Sequence, residues 1–341
     1  MDKLDIKSML PLELEEYFDS IGEPSYRAAQ VFKWLHEGAK AFPEMSNLPE
    51  KLRSKLDGEF YINVPVLALK QVSKLDGTIK YLWSMPDSAA IESVVMEYGH
   101  GNSICISTQV GCKMGCAFCA STIGGLVRNL TASEMLDQVL FSQMESGKRI
   151  SNVVLMGIGE PLDNFENVTR FLRLVSHPSG INIGARHISL STCGIIENID
   201  KLSEYGIQLT LAVSLHAPDD ETRTRLMPAN KNCGVDALME ACGRYFQRTG
   251  RRVSYEYAMI NEINDTRRHA GLVADRLKNS GCHLNLILLS DVAEFPLRAS
   301  TPKRVSDFIS ILRKRDVSFT VRRSLGVDID ASCGQLRRRV L

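Results

Sequence analysis

Ile104-Cys105-Ile106-Ser107-Thr108 and, just beyond it, Cys112-Lys113-Met114-Gly115-Cys116-Ala117-Phe118-Cys119 decide how the rest of the chain reads. The first run is short and β-branched. Comparable runs recur at 152–156, 187–192, 209–215, 253–260, 283–289 and 318–322, with helix-length amphipathic segments between them. That alternation is the signature of a parallel sheet wrapped by helices, and seven strands joined by crossovers predict a complete or partial barrel. Thr131 followed three residues later by Glu134 is a capping box, which opens a helix over 132–146.

Cys112, Cys116 and Cys119 form a C-x3-C-x2-C run immediately after the first strand of this region. Three clustered thiolates can hold three irons of a [4Fe-4S] cube and leave the fourth open for another ligand. A zinc knuckle is the rival, but it closes a tetrahedron with a nearby fourth Cys or His, and the next histidine downstream is His177. The chain holds nine cysteines and shows no basic head, apolar stretch and cleavage site at its start. Reduced thiols, metal ligands or catalytic groups are therefore expected in a cytoplasmic setting, rather than a disulfide framework. Cys193, Cys233, Cys242 and Cys282 lack a motif and read as small core hydrophobes.

Outward from this core, 341 residues exceed one ordinary domain, which predicts a large α/β body plus an accessory unit. No run of about 20 apolar residues suggests a membrane span. Residues 1–98 read as an accessory domain: helices through Tyr26, Val31, Trp34, Leu35 and His36, then extended runs at 66–73, 78–84 and 91–97 making a small sheet. Asp76-Gly77 marks the hairpin turn. Residues 99–341 hold the α/β core and a C-terminal tail. The net charge is only +1, yet 297–341 carries 11 Lys/Arg against 4 Asp/Glu, whereas 1–60 carries 8 against 12. Arg251-Arg252, Arg267-Arg268, Arg322-Arg323 and Arg337-Arg338-Arg339 are candidate phosphate contacts.

Parallel α/β barrels assemble their sites at the C-terminal ends of strands. Gly157-Ile158-Gly159-Glu160-Pro161 follows the second strand, Ser191 ends the third, Ser214, Leu215 and His216 end the fourth, and Ser290 follows the sixth. The glycines allow close backbone approach, and the Glu160 carboxylate can accept from an ammonium or hydroxyl.

These stretches, with Gly124-Gly125-Leu126-Val127-Arg128-Asn129-Leu130, Asn182 to His187, Ser214 to Pro218 and Asp328 to Leu336, resemble the RlmN-type methyltransferases over nearly the whole chain. The resemblance implies a radical S-adenosylmethionine partial (βα)6-type TIM barrel with a small N-terminal helical and β-hairpin accessory domain; the added presence of that domain, residues 1–98, makes it a candidate RNA contact. It implies one [4Fe-4S] cluster on Cys112, Cys116 and Cys119, and S-adenosylmethionine, two per turnover, on Gly159, Glu160, Ser191, Ser214, Leu215, His216 and Ser290. Members of that family carry Asn where this chain has Ser290, a shorter side chain with one hydroxyl.

The activity it implies is methylation of C2 of adenine in 23S rRNA and in tRNA beside the anticodon. C2 lacks a useful acidic proton, so polar transfer from a sulfonium is closed and a radical route is needed. In that scheme Cys333 is methylated first and its methyl group is then activated. Cys105 helps remove the C2 proton and frees the product through a transient disulfide with Cys333, and Glu92 is the proton acceptor. Expected partners are the two RNAs and a flavodoxin-type electron donor, with the enzyme a monomer. Two readings remain beside it: a Cfr-type C8 methyltransferase of 23S rRNA, which Pro161 disfavours, and a zinc-stabilised RNA-binding protein without catalysis.

Overall fold

The computed structural model describes residues 3–278 and 280–336, so Arg337, Arg338 and Arg339 lie outside the described residues. The main sheet is built from β1 (Val66–Val72), β2 (Ile79–Ser84), β3 (Ala90–Tyr98), β4 (Gly101–Cys105), β5 (Ile150–Leu155), β6 (Ile188–Thr192), β7 (Thr210–Ser214), β8 (Ser254–Met259), β9 (His283–Leu288) and β10 (Phe319–Arg322). Among the described residues these run in spatial order from β10 down to β1 without closing on themselves. β4 to β10 are mutually parallel, and β1 to β3 are antiparallel additions. An open run of parallel strands is a partial barrel.

Helices cross between the parallel strands as the amphipathic segments predict. α4 (Ala132–Ser146) joins β4 to β5, α5 (Phe165–Ser176) joins β5 to β6, and α6 (Ile196–Glu204) joins β6 to β7. α7 (Asp220–Leu226) and α8 (Gly234–Thr249) precede β8, α9 (Arg267–Leu277) precedes β9, and α10 (Pro302–Lys314) precedes β10. The capping box forms as read: Thr131 Oγ1 accepts from the Glu134 amide, and Glu134 Oε2 accepts from the Thr131 amide at 2.9 Å.

The extended runs at 66–98 do not make a sheet of their own. The chain turns at Gly101, and β3 lies directly on β4, with Tyr98 opposite Gly101 and Val94 opposite Cys105. Paired cross-strand residues share a face, so the β3 face carrying Val94 and Glu92 is the face that carries Cys105.

α1 (Pro11–Ser20), α2 (Tyr26–His36) and α3 (Glu50–Glu59) contribute apolar residues to the same continuous core as the barrel, and the short turn Ile6–Ser8 ahead of α1 lies against α4 and α5. A polar clasp fixes the dock. Buried Lys7 donates to Asp137 Oδ1 and to the Asn63 carbonyl, both at 2.7 Å, and Asn63 Nδ2 donates to Asp137 Oδ2. Losing one partner of such a pair strands a buried charge and costs about 3–5 kcal/mol. His177 belongs to this dock too, edge-on to Phe32. The helical unit is thus a brace on the barrel wall.

Candidate functional site

The loop from Cys112 to Gly125 leaves and rejoins the body through a short antiparallel ladder, Gln109–Gly111 against Leu126–Asn129. At Gly111 any Cβ would fall 1.9 Å from the Gly125 carbonyl oxygen, so the ladder closes only with glycine there. Inside the loop the Ala117 amide donates to the Leu226 carbonyl, and the Ala120 amide donates to the Gly334 carbonyl. The loop is thereby tied to both the barrel rim and the C-terminal tail.

Cys112, Cys116 and Cys119 line one cavity of about 160 Å³ together with Gly159, Glu160, Ser191, Ser214 and His216. Sequence reasoning assigned all of these, and the strand ends bring them together. Glu160 is buried; its Oε2 accepts from the Cys193 amide at 2.7 Å and its Oε1 from the Leu162 amide at 3.0 Å. Burial nonetheless raises its pKa above the carboxylate norm. His216 sits at φ +53°, and its Nδ1 accepts from the Ala258 amide at 2.9 Å. Burial drops its pKa to about 3, so the ring is neutral with its proton on Nε2, ready to donate. Phe118 meets the same ring edge-on at 4.9 Å. Gly157 belongs to the same turn: a Cβ there would lie 2.6 Å from the Ile106 carbonyl oxygen.

A second cavity adjoins the first. It is lined by Cys105, Tyr98, Ser290, Arg322 and the tail from Ala331 to Gly334. Cys333 lines both cavities, whereas Cys105 lines only the second. Burial pushes the Cys105 thiol up to about 12, and the nearby Cys333 adds to that. Cys333 is solvent-accessible, yet the walls around its sulfur still raise its thiol. Arg322 opposes the rise at both sulfurs.

A profile described as the Ribosomal RNA large subunit methyltransferase N-terminal domain matches residues 4–62, and the Radical SAM superfamily profile matches residues 106–270. The chain is 48% identical to the probable dual-specificity RNA methyltransferase RlmN of Clostridium tetani, over 96% of this chain and 94% of that one. It is 46% identical to the protein of the same description from Alkaliphilus oremlandii, over 100% and 99%. The crystal structure of a radical SAM methyltransferase from Sphaerobacter thermophilus superposes with a TM-score of 0.92 at 40% identity, covering 98% of this chain and 99% of that one. The chain belongs to the RlmN family of radical SAM methyltransferases.

Family membership implies a [4Fe-4S] cluster and S-adenosylmethionine, and the RlmN-type site fits both. Among the described residues no three of His, Cys, Asp and Glu stand close enough for one metal ion. A cube needs thiolates spread around a common hollow, which is how Cys112, Cys116 and Cys119 are placed. The neutral His216 donor, the Glu160 carboxylate and the Ser191 and Ser214 hydroxyls supply polar groups for a charged nucleoside.

Three expected residues lie elsewhere. Leu215 is fully buried in the core, its carbonyl accepting from Arg223 Nε, so it supports the strand end and does not face the cavity. Ser290 lines the thiol cavity instead of the cluster cavity, because the chain turns away from the sheet after Leu288. Glu92 lines none of the cavities described here; it is 1% exposed and paired with Lys80 at 3.5 Å, and Lys80 donates to the Asp330 carbonyl of the tail. Glu92 is therefore an interior residue and not the solvent-facing position of a strand.

Other residues were not anticipated. Arg223 is fully buried and donates to the carbonyls of Cys193, Ser214 and Leu215 and to Asn230 Oδ1, lacing two strand ends together. In the sequence it is one charge among several in Asp220-Glu221-Thr222-Arg223-Thr224-Arg225, with nothing to mark it as interior. Glu256, which lines the cluster cavity, was legible: a carboxylate between Tyr255 and Tyr257 inside a parallel strand has no wet face. Cys193 also lines the cluster cavity rather than merely filling core.

Proposed function

We propose that this chain methylates C2 of an adenine in RNA, in 23S rRNA and in tRNA beside the anticodon, with Cys333 as methyl carrier and Cys105 as its partner thiol. One observation carries the assignment: Cys333 opens on both cavities, while Cys105 opens only on the second, which Cys119 alone of the three motif cysteines also lines. A carrier must face donor and acceptor; a resolving thiol need face only the acceptor.

When bound on Cys112, Cys116 and Cys119, the cluster with its S-adenosylmethionine supplies methyl groups and one-electron cleavage chemistry. The chain's own residues do the rest. Glu160, Ser191, Ser214 and neutral His216 orient the nucleoside cofactor. Cys333 holds the methyl carbon at the mouth between the two cavities. Cys105 takes the C2 proton by resemblance; burial holds it as the thiol at rest, and Arg322, which opposes that rise, is the group that favours its ionised form. Product leaves when the Cys105 thiolate attacks the Cys333 sulfur: the Cys333 S–C bond breaks, its electron pair goes with the carbon, which takes a proton to become the new methyl group, and an external thiol reductant then reopens the Cys105–Cys333 disulfide. Glu92, held by Lys80, is the farther proton acceptor by resemblance. The flavodoxin-type reductant rests on the same resemblance, the cytoplasmic setting on the reading of the cysteines as reduced thiols, and the monomer is the default state.

Nucleoside mass spectrometry on ribosomal and transfer RNA from a strain lacking the gene tests the reading. Loss of 2-methyladenosine from both, restored by the parent gene and not by the Cys333→Ala variant, is expected. Loss of 8-methyladenosine instead would transfer the chain to the C8 class.

A further inference from the structure

Beyond the thiol cavity lies a third and roomier one, of about 420 Å³, and the two share Met96, Tyr98, Val154, Arg322, Arg323 and Leu325. Its walls come from β3, β4, β5 and β6 and from the C-terminal end of β10, and Cys112, Cys116 and Cys119 do not line it. Ser103 on its wall is two residues before Cys105 on the same strand face, which is roughly 7 Å away.

The walls have a consistent chemistry. Arg186, Arg322 and Arg323 bring guanidinium groups, His100 and His187 bring imidazoles, and among the described residues no carboxylate lines the cavity. Arg322 is paired with Glu256 at 3.4 Å. Arg186 and Arg323 are exposed, and among the described residues neither has a carboxylate within ion-pair distance. Tyr98 and His100 stack at 5.2 Å with their planes 16° apart, presenting a flat aromatic platform on the same wall. Asn152 holds the His187 ring in place at 3.1 Å.

Guanidinium forks without protein partners suit phosphate oxygens, and an aromatic platform suits the face of a base. Resting on the RNA-modifying reading above, we propose that this basin seats the RNA strand on either side of the target nucleotide. Arg186 and Arg323 take the flanking phosphates, Tyr98 and His100 stack a neighbouring base, and the target adenine passes between Met96 and Arg322 to reach Cys105. The electrostatic grip then lies here and not on the helical brace, whose stretch 1–60 is acidic, with 8 Lys/Arg against 12 Asp/Glu. An acidic electron-donor protein would also meet the positive charge. It has no use for a stacking platform, and it would need to approach the three motif cysteines, which do not line this cavity.

The test uses the full chain with its cluster installed and an anticodon stem-loop RNA, with binding followed by fluorescence anisotropy over a series of salt concentrations. The R186Q/R323Q variant is expected to lose tenfold or more in affinity, and its log-log salt slope to fall by roughly 2, one phosphate for each arginine. Y98A and H100A are expected to weaken binding roughly five- to a hundredfold with the slope unchanged, since stacking carries no counterion release. Replacing Lys51 and Lys55 of the brace with Gln leaves both quantities at parent values. Iron content and the thermal midpoint of R186Q/R323Q stay at parent values, since both side chains are exposed. A parent that methylates the RNA while R186Q/R323Q keeps its affinity and slope overturns the basin and leaves the reading standing. Parent-like RNA binding in that variant with slowed reduction of the cluster assigns the surface to the reductant and also overturns it. A parent that neither binds nor methylates RNA removes both.

Discussion

Glu256 and Arg322 meet at 3.4 Å across the inside of the barrel, between the cluster cavity and the thiol cavity. Asn285 Nδ2 donates to the other carboxylate oxygen at 2.8 Å. The pair acts on the carrier thiol from both signs: Arg322 lowers the Cys333 pKa and Glu256 raises it.

Neutralising one member should therefore move Cys333 in a known direction. Glu256→Gln removes the negative charge, lowers the thiol pKa and speeds alkylation of Cys333 by iodoacetamide near neutral pH. Arg322→Gln slows it. Peptide mass spectrometry of anaerobically treated protein reads both rates, and equal rates in the two variants would show that the charges do not reach the sulfur.

Glu92 is either an anchor for the tail, through Lys80, or a proton acceptor as well, and the two roles separate in a double variant. Glu92→Gln alone strands a buried ammonium and should cost about 3–5 kcal/mol in chemical denaturation. The K80M/E92L pair removes both charges and should recover most of that stability. Methylation is expected to stay lost in the double variant. Its recovery would reduce Glu92 to an anchor.

On the proposed mechanism, Cys105→Ala keeps the methyl carrier and removes the thiol that releases the product. The expected result is an RNA bound covalently to Cys333, seen as a band that survives denaturing electrophoresis and is absent in the C105A/C333A variant. Free product released at the parent rate would dismiss the disulfide step.

His36 and His216 are buried with pKa values lowered to about 3. Unfolded chains bind these protons near pH 6.5 and the folded chain does not, so stability is full above that value and falls as pH drops toward 3. Two such sites contribute a slope of about 2.7 kcal/mol per pH unit well inside the window. His36 stacks on Phe32 and its Nδ1 has no hydrogen-bond partner, so His36→Leu should cut the slope by about 1.4 kcal/mol per unit. Urea melts at pH 5 and pH 7 measure the change, and an unaltered difference between them would mean that His36 does not titrate on unfolding.

Much of this was visible in the chain before any coordinates. The parallel strands, the capping box at Thr131 and the cluster cavity follow from local patterns, because periodicity, capping chemistry and thiol spacing act over a few residues. Tail geometry was visible only through resemblance: Cys105 and Cys333 are 228 positions apart, and spacing alone cannot bring them together. The merger of 66–98 into the main sheet was illegible because a hairpin's own pattern is the same whether its outer strand is free or paired. The burial of the Leu215 side chain and the turn of Ser290 into the second cavity were illegible for a similar reason, since a strand-end position does not say on which side of the rim a side chain emerges.

The iron-binding loop and the tail grip one another: Ala120 donates to the Gly334 carbonyl at 2.8 Å, and Ser121 Oγ to the Leu336 carbonyl at 2.7 Å. Damage that unravels the loop must also loosen the segment holding Cys333. An enzyme whose metal chemistry has been spoiled by oxygen would thus disarm its own alkyl-bearing arm, instead of leaving it poised over a substrate that it can no longer finish.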